Sequence, residues 1–509
     1  MYSGETIELG ELWDNRKYDI DHIYPQSRVM DDSLDNRVLV KKECNAAKTD
    51  DYPIHEDIRK KMGSFWHMLM TSGFISKEKY KRLTRGTGFE PSELAGFIAR
   101  QLVETRQSTK AVASVLKQVF PDTEIVYTKA KAASAFRQDF DLVKVREMND
   151  LHHAKDAYIN IVVGNVYYTK FTSNASWFVK EHPGRSYNLK RMFTSDKDVS
   201  RGGEVAWKAG NAGTIATVKS VMGKNNILVT RRSYQGKGGL FDQQPLRKGK
   251  GQVPLKGNDE RLRNVNRYGG YGQAARTYFM LVESDEKKGT KKRSVESVPL
   301  YLCGYFEEDK GLLQEYLERD CRLKNPKVLI SKIKVGTLFK VDGFLMWLAT
   351  KNGNQLTAKG ANQLILEEQS AKVLKKVLKY INYRRVNKDA VVTVHDQLKE
   401  MELIELYDVF LDKIRNSVYH TRLKAPEKVL SNKRDVFCTL SSEDKCLVIS
   451  EILHMFQCQS KLSNLKLIGG SENTGKIQIN SNITQYKNIS IIHQSPAGIY
   501  EQEIDLKKV

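Results

Sequence analysis

The six cysteines of this 509-residue chain (Cys44, Cys303, Cys321, Cys438, Cys446 and Cys458) contain no C-x-x-C pair. Neither a zinc knuckle nor a disulfide framework is supported, and a reducing cytoplasm suits the composition. No apolar run approaches the ~18 residues that a membrane-crossing helix needs. The opening stretch, MYSGETIELGELW, lacks the basic start and apolar core of a secretory leader. No internal repeat is evident. Acidic residues are in short supply: 61 Asp and Glu face 83 Lys and Arg, a formal charge of +22. A chain this basic is drawn to polyanions, of which nucleic acid is the commonest large one, although ribosome-associated and membrane-surface proteins share that balance. With 40% hydrophobic residues and a length that suits about three or four domains, wholesale disorder is excluded.

What is present is concentrated first between Tyr18 and Asp50, YDIDHIYPQSRVMDDSLDNRVLVKKECNAAKTD. The alternating run Tyr18 to Ile23 reads as a short strand that ends in an acid–imidazole pair, Asp21 and His22. A turn at Pro25 follows, then a second apolar run, Arg37 to Val40, then a polar segment from near Lys41 that suits a helix. Strand, loop, strand, helix is the arrangement of a ββα-metal nuclease site. Such a site needs an imidazole to take a proton from water and hard oxygen ligands for a divalent cation. His22 suits the base, Asp21 and Asn45 suit the ligands, and Asn36 suits a brace for the loop. An isolated Asp-His pair is usually a chance dipeptide. His followed by Ile-x-Pro, by Asn at plus 14 and by Asn at plus 23 is the HNH endonuclease signature.

Further along, Thr6–Leu9 reads as a strand. Residues 54–83 read as helices with Ile58, Met62, Phe65 and Leu69 on a core face, and Gly86 and Gly88 then break the pattern. Residues 92–118 return to helix, with Leu94, Phe97, Ile98 and Leu102, then Val112, Val115 and Leu116, as apolar positions; Arg100, Glu104, Arg106 and Lys110 form a charged face. Glu124–Tyr127 reads as a strand. A helix rich in Ala and Lys precedes Asp150-Leu151-His152-His153-Ala154-Lys155-Asp156, where His153 and Asp156 stand one turn apart and Ile159, Ile161, Val162 and Val163 continue into a core. Taken alone, His-x-x-Asp is mostly a capped or salt-bridged turn. Residues 231–293 hold 16 Lys or Arg against six acids, with ten glycines, and with Tyr234, Phe241, Tyr268, Tyr271 and Tyr278 among the charges. Basic loops carrying aromatics suit phosphate contact and base stacking. Residues 332–366 read as a β-meander with turns at Asp342-Gly343 and Asn352-Gly353. Residues 394–422 and 441–459 read as helices, and 476–504 as strands.

Taken in order, YDIDHIYPQS, DDSLDNRVL, GFIARQLVETRQ, FRQDFDLVKVREMNDLHHAKDAY, RYGGY and IIHQSPAGIYEQEIDL resemble the C-terminal part of the type II CRISPR RNA-guided DNA endonucleases, in their streptococcal-like branch. The resemblance runs over the whole chain and is strongest in 17–165 and at the C-terminus. It implies a multidomain α+β protein: an HNH domain of ββα-metal fold over 1–90, a linker helix over 91–106, a third RuvC segment of RNase H-like fold over 107–234, and a mixed, β-rich domain over 235–509 that reads the protospacer-adjacent motif (PAM) and contacts guide RNA. It assigns Asp21 and Asn45 to one magnesium ion (manganese being possible), His22 to general base, Asn36 to support, and His153 and Asp156 to the RuvC metal site. The partners it implies are guide RNA (crRNA and tracrRNA) and double-stranded target DNA, and the setting is antiviral defence.

The family also carries an early-strand aspartate, a catalytic glutamate, an arginine-rich helix and a recognition lobe N-terminal to this region. Two of the four RuvC metal-site residues are therefore absent, and the expectation is a fragment with an incomplete RuvC site. Alternatives are a non-catalytic nucleic-acid-binding piece that works only beside a missing N-terminal half, and a free-standing HNH nicking enzyme. The family's guanine-reading arginines, counted back from Ile492-His493-Gln494-Ser495, fall in Lys476–Asn480, where there is no arginine. As a strand, that segment presents Lys476, Gln478 and Asn480 on one face and buries Ile477 and Ile479; an ordinary edge strand is the plainer alternative. Gln or Asn pairs bidentately with adenine and Lys reaches guanine, so the expectation is a motif with at least one adenine and no need for two adjacent guanines.

Overall fold

A strand needs a ladder partner, and the run at Tyr18 finds one nearby. Tyr18–His22 (β1) pairs antiparallel with Arg37–Lys41 (β2), Tyr18 opposite Lys41 and His22 opposite Arg37. Lys42–Lys48 (α1) follows directly. These elements belong to a computed structural model that describes residues 1–7, 17–29, 31–102, 107–171, 189, 191–238, 241, 245–246, 253–254, 264–272, 275–286, 289–359, 362–386, 398–457, 462–475 and 479–509. The chain divides into two compact units, Met1–Leu142 with His153–Lys224, and Val143–His152 with Asn225–Val509.

In the first unit Glu56–Thr71 (α2) and Lys77–Thr84 (α3) pack against the inner face of the hairpin, where Ile23, Val38, Val40, Met62, Trp66 and Leu83 form one apolar cluster. The stripe on α2 is the i, i+4 pair Met62 and Trp66. Phe65, expected in the core, is 40% exposed because it lies off that narrow stripe. Thr6 and Ile7 carry no strand, and Glu8 and Leu9 lie outside the described residues.

Pro91–Leu102 (α4) and Gln107–Val119 (α5) follow. Phe97 is buried, whereas Val112, Val115 and Leu116 are all exposed, against expectation. The side chains of Ile98, Arg100 and Leu102, and residues Glu104 and Arg106, lie outside the described set. Ala130–Asp139 (α6) and His152–Phe171 (α7) build a second core in which Phe136, Ile159, Val163 and Tyr167 meet Trp207. Val199–Arg201 (β3) and Glu204–Trp207 (β4) form a small hairpin beside the helix Thr214–Gly223. Ile161, expected in the core, is 71% exposed: two helical steps carry it to the far side of Ile159 and Val163. Glu124–Tyr127, expected as a strand, is not one. No ladder partner lies beside it among the described residues, and Thr128 next to it hydrogen-bonds to the Asn160 carbonyl of α7 (3.2 Å) instead.

The second unit opens with short strands Pro245–Leu246 (β5), Val253–Pro254 (β6) and Gly270–Tyr271 (β7), ordered β5-β7-β6. Arg276–Asp285 (β8) lies between Lys291–Pro299 (β9) and Lys324–Lys334 (β10). Leu338–Val341 (β11), Phe344–Asn352 (β12), Gln355–Lys359 (β13), Ile479–Asn480 (β14), Ile489–Gln494 (β15) and Glu501–Asp505 (β16) make an antiparallel sheet ordered β14-β13-β12-β11-β15-β16. The meander expected over 332–366 is its centre. Asp342 and Gly343 both take positive φ (48° and 89°), the left-handed pair that a tight two-residue hairpin demands. Helices Glu368–Val386, Glu400–Arg415, His420–Asn432 and Ser442–Phe456 cover this sheet, and Leu374, Leu406, Phe410 and Ile449 share one core with Phe339 and Val341. Of the aromatics expected among the basic loops, Tyr234 and Tyr268 are exposed, while Tyr271 and Tyr278 are buried and serve packing.

Candidate functional site

Strand alternation places Asp19 and Asp21 on the same face of β1, and helical spacing places Asn45 and Lys48 on the same side of α1. Two polar pairs strap helix to strand: the Asn45 amide donates to Asp19 Oδ2 (2.6 Å), and Lys48 Nζ lies 3.1 Å from Asp21 Oδ2. Asp21 and Lys48 are 7% and 1% exposed, so the buried carboxylate has its countercharge in contact. Lys48 also donates to the His22 carbonyl (3.0 Å). On the other side the Tyr2 hydroxyl donates to Asp21 Oδ2 (2.5 Å). Burial, then the Asp21 charge, push the Tyr2 phenol well above its usual pKa, so it stays a donor. The pairing differs from the expected convergence of Asp21 and Asn45, because the amide of Asn45 is held by Asp19.

His22, next along the strand, turns the other way. Its acid partner is Asp32, not Asp21: Nε2 lies 2.8 Å from Asp32 Oδ1, to which Gln26 also donates (2.8 Å). Lys131 of α6 meets the other Asp32 oxygen at 2.6 Å. Partial burial works to raise the Asp32 pKa, but Lys131, His22 and Gln26 outweigh it and hold the carboxyl at about 2. Gln26 Nε2 also lies 3.0 Å from His22 Nε2, so Asp32 and Gln26 together hold the imidazole at that nitrogen. Asn36 is fully buried; its amide donates to the carbonyls of Tyr24 (3.1 Å) and Asp31 (2.9 Å) and accepts from the Tyr24 N–H (2.8 Å). One side chain thus closes both ends of the loop between the strands.

The second expected pair lies at the start of α7. His153 is exposed and Asp156 half-buried, one turn apart. Arg137 of α6 engages Asp156 Oδ1 through Nε and Nη2, both at 2.7 Å. Among the described residues no three or more His, Cys, Asp and Glu side chains converge as an ion site.

In the second unit Lys476 and Gln478 lie outside the described residues, as does Ile477. Asn480 sits on β14 beside Gln355 of β13; its N–H donates to the Tyr486 hydroxyl (2.6 Å) and its Oδ1 accepts from the Asn482 N–H (3.0 Å). Ile479 is buried. A cleft of about 390 Å³ is lined by Arg231, Arg232, Tyr234, Arg276, Trp347 and Lys351, among others. The Arg231 guanidinium stands 5.7 Å over the Trp347 ring and pairs with Asp150 at 2.9 Å.

Sequence reasoning did not find Tyr2, Asp19, Asp32, Lys48 or Lys131. Asp19 was within reach, since it shares β1's alternation with Asp21. The others come from turns, a helix end and a distant segment, and spacing carries no signal for them.

Comparison with known proteins supplies the frame. A model described as the PAM-interacting domain of CRISPR-associated endonuclease Cas9 matches residues 237–502, one of the Cas9 RuvC domain matches 106–233, and one of HNH endonucleases matches 1–54. CRISPR-associated endonuclease Cas9 of Streptococcus mutans serotype c is 28% identical over 550 residues, covering 100% of this chain. That of Listeria innocua serovar 6a is 28% identical over 548 residues, covering 98%. Cas9 of Staphylococcus aureus is 31% identical over 173 residues, 31% of this chain and 16% of its own length. The chain spans 39% and 38% of the Streptococcus mutans and Listeria innocua proteins. Among the described residues no helix is long and apolar enough to cross a membrane. With one Cas9 domain model over more than half of its length, and HNH and RuvC models preceding it in order, the chain belongs to the CRISPR-associated endonuclease Cas9 family.

Proposed function

We propose that these residues are the HNH, third RuvC and PAM-interacting parts of an RNA-guided DNA endonuclease of antiviral defence, and that the HNH site hydrolyses the DNA strand paired to the guide. The observation that carries this reading is the β1–loop–β2–α1 unit, which sets a buried carboxylate (Asp21), an imidazole paired with a second carboxylate (His22 with Asp32) and the Asn45 amide around one hairpin. We read the hairpin and α1 as a ββα-metal module within an HNH domain over 1–90, residues 91–106 as its helical link, 107–234 as an incomplete RNase H-like RuvC segment, and 235–509 as the PAM-interacting domain. His153 and Asp156 are its share of the RuvC metal site, the remaining ligands coming from outside these residues. Guide RNA and double-stranded DNA are the partners, together with an N-terminal portion of the same protein.

The HNH donors fit a hard dication. Asp21 and the Asn45 amide oxygen, with Asp19 beside them, are oxygen ligands, and neighbouring Cys44 packs against the apolar cluster. Such a set favours magnesium or manganese over zinc. When bound, the ion withdraws charge from the phosphate under attack. His22 takes the proton of the attacking water, while Asp32 and Gln26, in contact with Nε2, fix the ring. Asn36 keeps the loop that carries Asp32 in place.

The basic cleft at Arg231, Arg276 and Lys351 suits the nucleic-acid backbone. Lys476, Gln478 and Asn480 are proposed to face the PAM, with adenine preferred at one position. Gln478→Arg should move that position toward guanine by about 1–3 kcal/mol of discrimination. A randomised-target depletion assay reads it, and selection of adjacent guanines by the unaltered protein would defeat the assignment.

The central test is His22→Ala in the guide-programmed protein completed by its N-terminal portion. Cleavage of the guide-paired strand should fall about 10²–10⁴-fold with DNA binding intact. Full-rate cleavage, or collapse of binding, would overturn the role of His22. Binding without cleavage by the unaltered complex would favour a module that only holds nucleic acid.

A further inference from the structure

Asp21 has two oxygens, and the structure treats them unequally. Oδ2 receives the Tyr2 hydroxyl at 2.5 Å and Lys48 Nζ at 3.1 Å, whereas Oδ1 meets Lys48 at 3.3 Å. Lys48 reaches both oxygens, so it balances the charge of the carboxylate without choosing between them. Tyr2 touches Oδ2 alone. A carboxylate gripped at one oxygen by a short hydrogen bond cannot turn about its Cβ–Cγ bond without breaking it.

Tyr2 is itself held firmly. It is 3% exposed, its ring belongs to the cluster of Ile23, Val38, Val40, Met62 and Trp66, and the indole N–H of Trp66 donates to the Met1 carbonyl beside it (3.1 Å). The phenol therefore arrives at Asp21 along a direction set by the core. A buried tyrosine needs a partner for its hydroxyl, but any backbone carbonyl would serve that need. Here it is spent on the carboxylate.

We propose that Tyr2 is a positioning residue for the cation site at Asp21: its hydroxyl occupies Oδ2 and so presents Oδ1 to the ion. This rests on the reading of Asp21 as a cation ligand. Hydrogen-bonding partners behind metal ligands typically account for about 10–100-fold in affinity, and that is the size of effect assigned to the Tyr2 hydroxyl.

The test uses Mn²⁺ as the probe and the 509-residue chain, with the free ion counted by electron paramagnetic resonance and the metal-free melting temperature recorded beside it. Asp21→Ala identifies the isotherm that belongs to this site. Tyr2→Phe, which keeps the buried ring, should raise the half-saturating Mn²⁺ concentration of that isotherm about 10–100-fold. Tyr2→p-aminophenylalanine, which returns a donor at the para position, should restore it to within about threefold of the unaltered chain. If Tyr2→Phe does not fold, Tyr2→Leu and the para-amino variant make the same comparison. An isotherm that Tyr2→Phe leaves in place while the metal-free melting temperature falls would reduce Tyr2 to a structural residue and overturn the proposal, with Asp21 untouched. Failure of the para-amino variant to restore affinity would overturn it too. An unaltered chain whose Mn²⁺ binding is indifferent to Asp21→Ala would overturn the reading of Asp21, and the role of Tyr2 with it.

Discussion

The hairpin that carries His22 and the helix that carries His153 are both short pieces of nuclease sequence in one unit, yet they stand differently. In the hairpin the ladder and the closing of the loop are met locally: β1 finds β2, and the loop between them is closed by Asn36. Around α7 the needs run further afield. Glu124–Tyr127 has the composition of a strand and no ladder partner among the described residues, and the helix α5 before it leaves Val112, Val115 and Leu116 exposed. A β-pattern in sequence states only that a segment suits a sheet; whether it becomes a strand depends on a neighbour that can lie anywhere in the protein. The hairpin's ladder is written in local sequence, whereas the pattern at Glu124–Tyr127 finds no ladder among the described residues.

Metal is the strongest way to break this contrast. Chelation by EDTA should abolish cleavage of the guide-paired strand in the completed complex, and magnesium should restore it, because the hairpin donors are oxygens. His153→Ala should leave that strand's cleavage within about twofold while His22→Ala removes it, as expected for separate sites. Equal loss from both, or zinc held one to one by the hairpin, would merge the two sites or misassign the ion.

Next in size is the brace of the hairpin. Asn36→Ala removes three hydrogen bonds and strands the Tyr24 N–H and two carbonyls in a half-buried loop. The first unit should lose about 1–3 kcal/mol in chemical denaturation. A loss near zero would mean that water replaces the amide and that the loop is less self-contained than its contacts imply.

How much could be read from residues follows the same division. Strand, turn, strand and helix between Tyr18 and Lys48 were legible because their partners are close in sequence and the alternation is regular. The meander around Asp342-Gly343 was legible because a left-handed pair has few tenants. Asp32 as the partner of His22 was not legible, since it sits in a turn ten residues on and is fixed by Lys131 from another helix. The inward face of α7 was half legible: Ile159 and Val163 followed the helical period, whereas Ile161, equally apolar, lies outside it. Apolar type names candidates for a core, and the partner surface decides among them.

The smallest expected effect is the one that asks whether 124–128 is seated on α7 at all. Gly164 lies inside α7, where alanine ordinarily gains about 0.5–1 kcal/mol over glycine. A Cβ there would stand 2.5 Å from Thr128 Oγ1 and 3.6 Å from Val126 Cγ1. Thr128 is short and its hydroxyl donates to the Asn160 carbonyl, so it cannot swing aside as a long side chain would. Overpacking of this kind costs about 1–3 kcal/mol, which exceeds the gain in helix propensity. Gly164→Ala should therefore lower the stability of the first unit by about 0.5–2 kcal/mol, against the helical rule. Adding Thr128→Ala removes the obstructing hydroxyl, so the double variant should be more stable than Gly164→Ala alone, with a coupling of about 0.5–3 kcal/mol. Denaturation midpoints of the four proteins of the cycle decide it. If Gly164→Ala stabilises and Thr128→Ala adds nothing, the segment does not rest on the helix, and the second region is left with neither a ladder nor a seat.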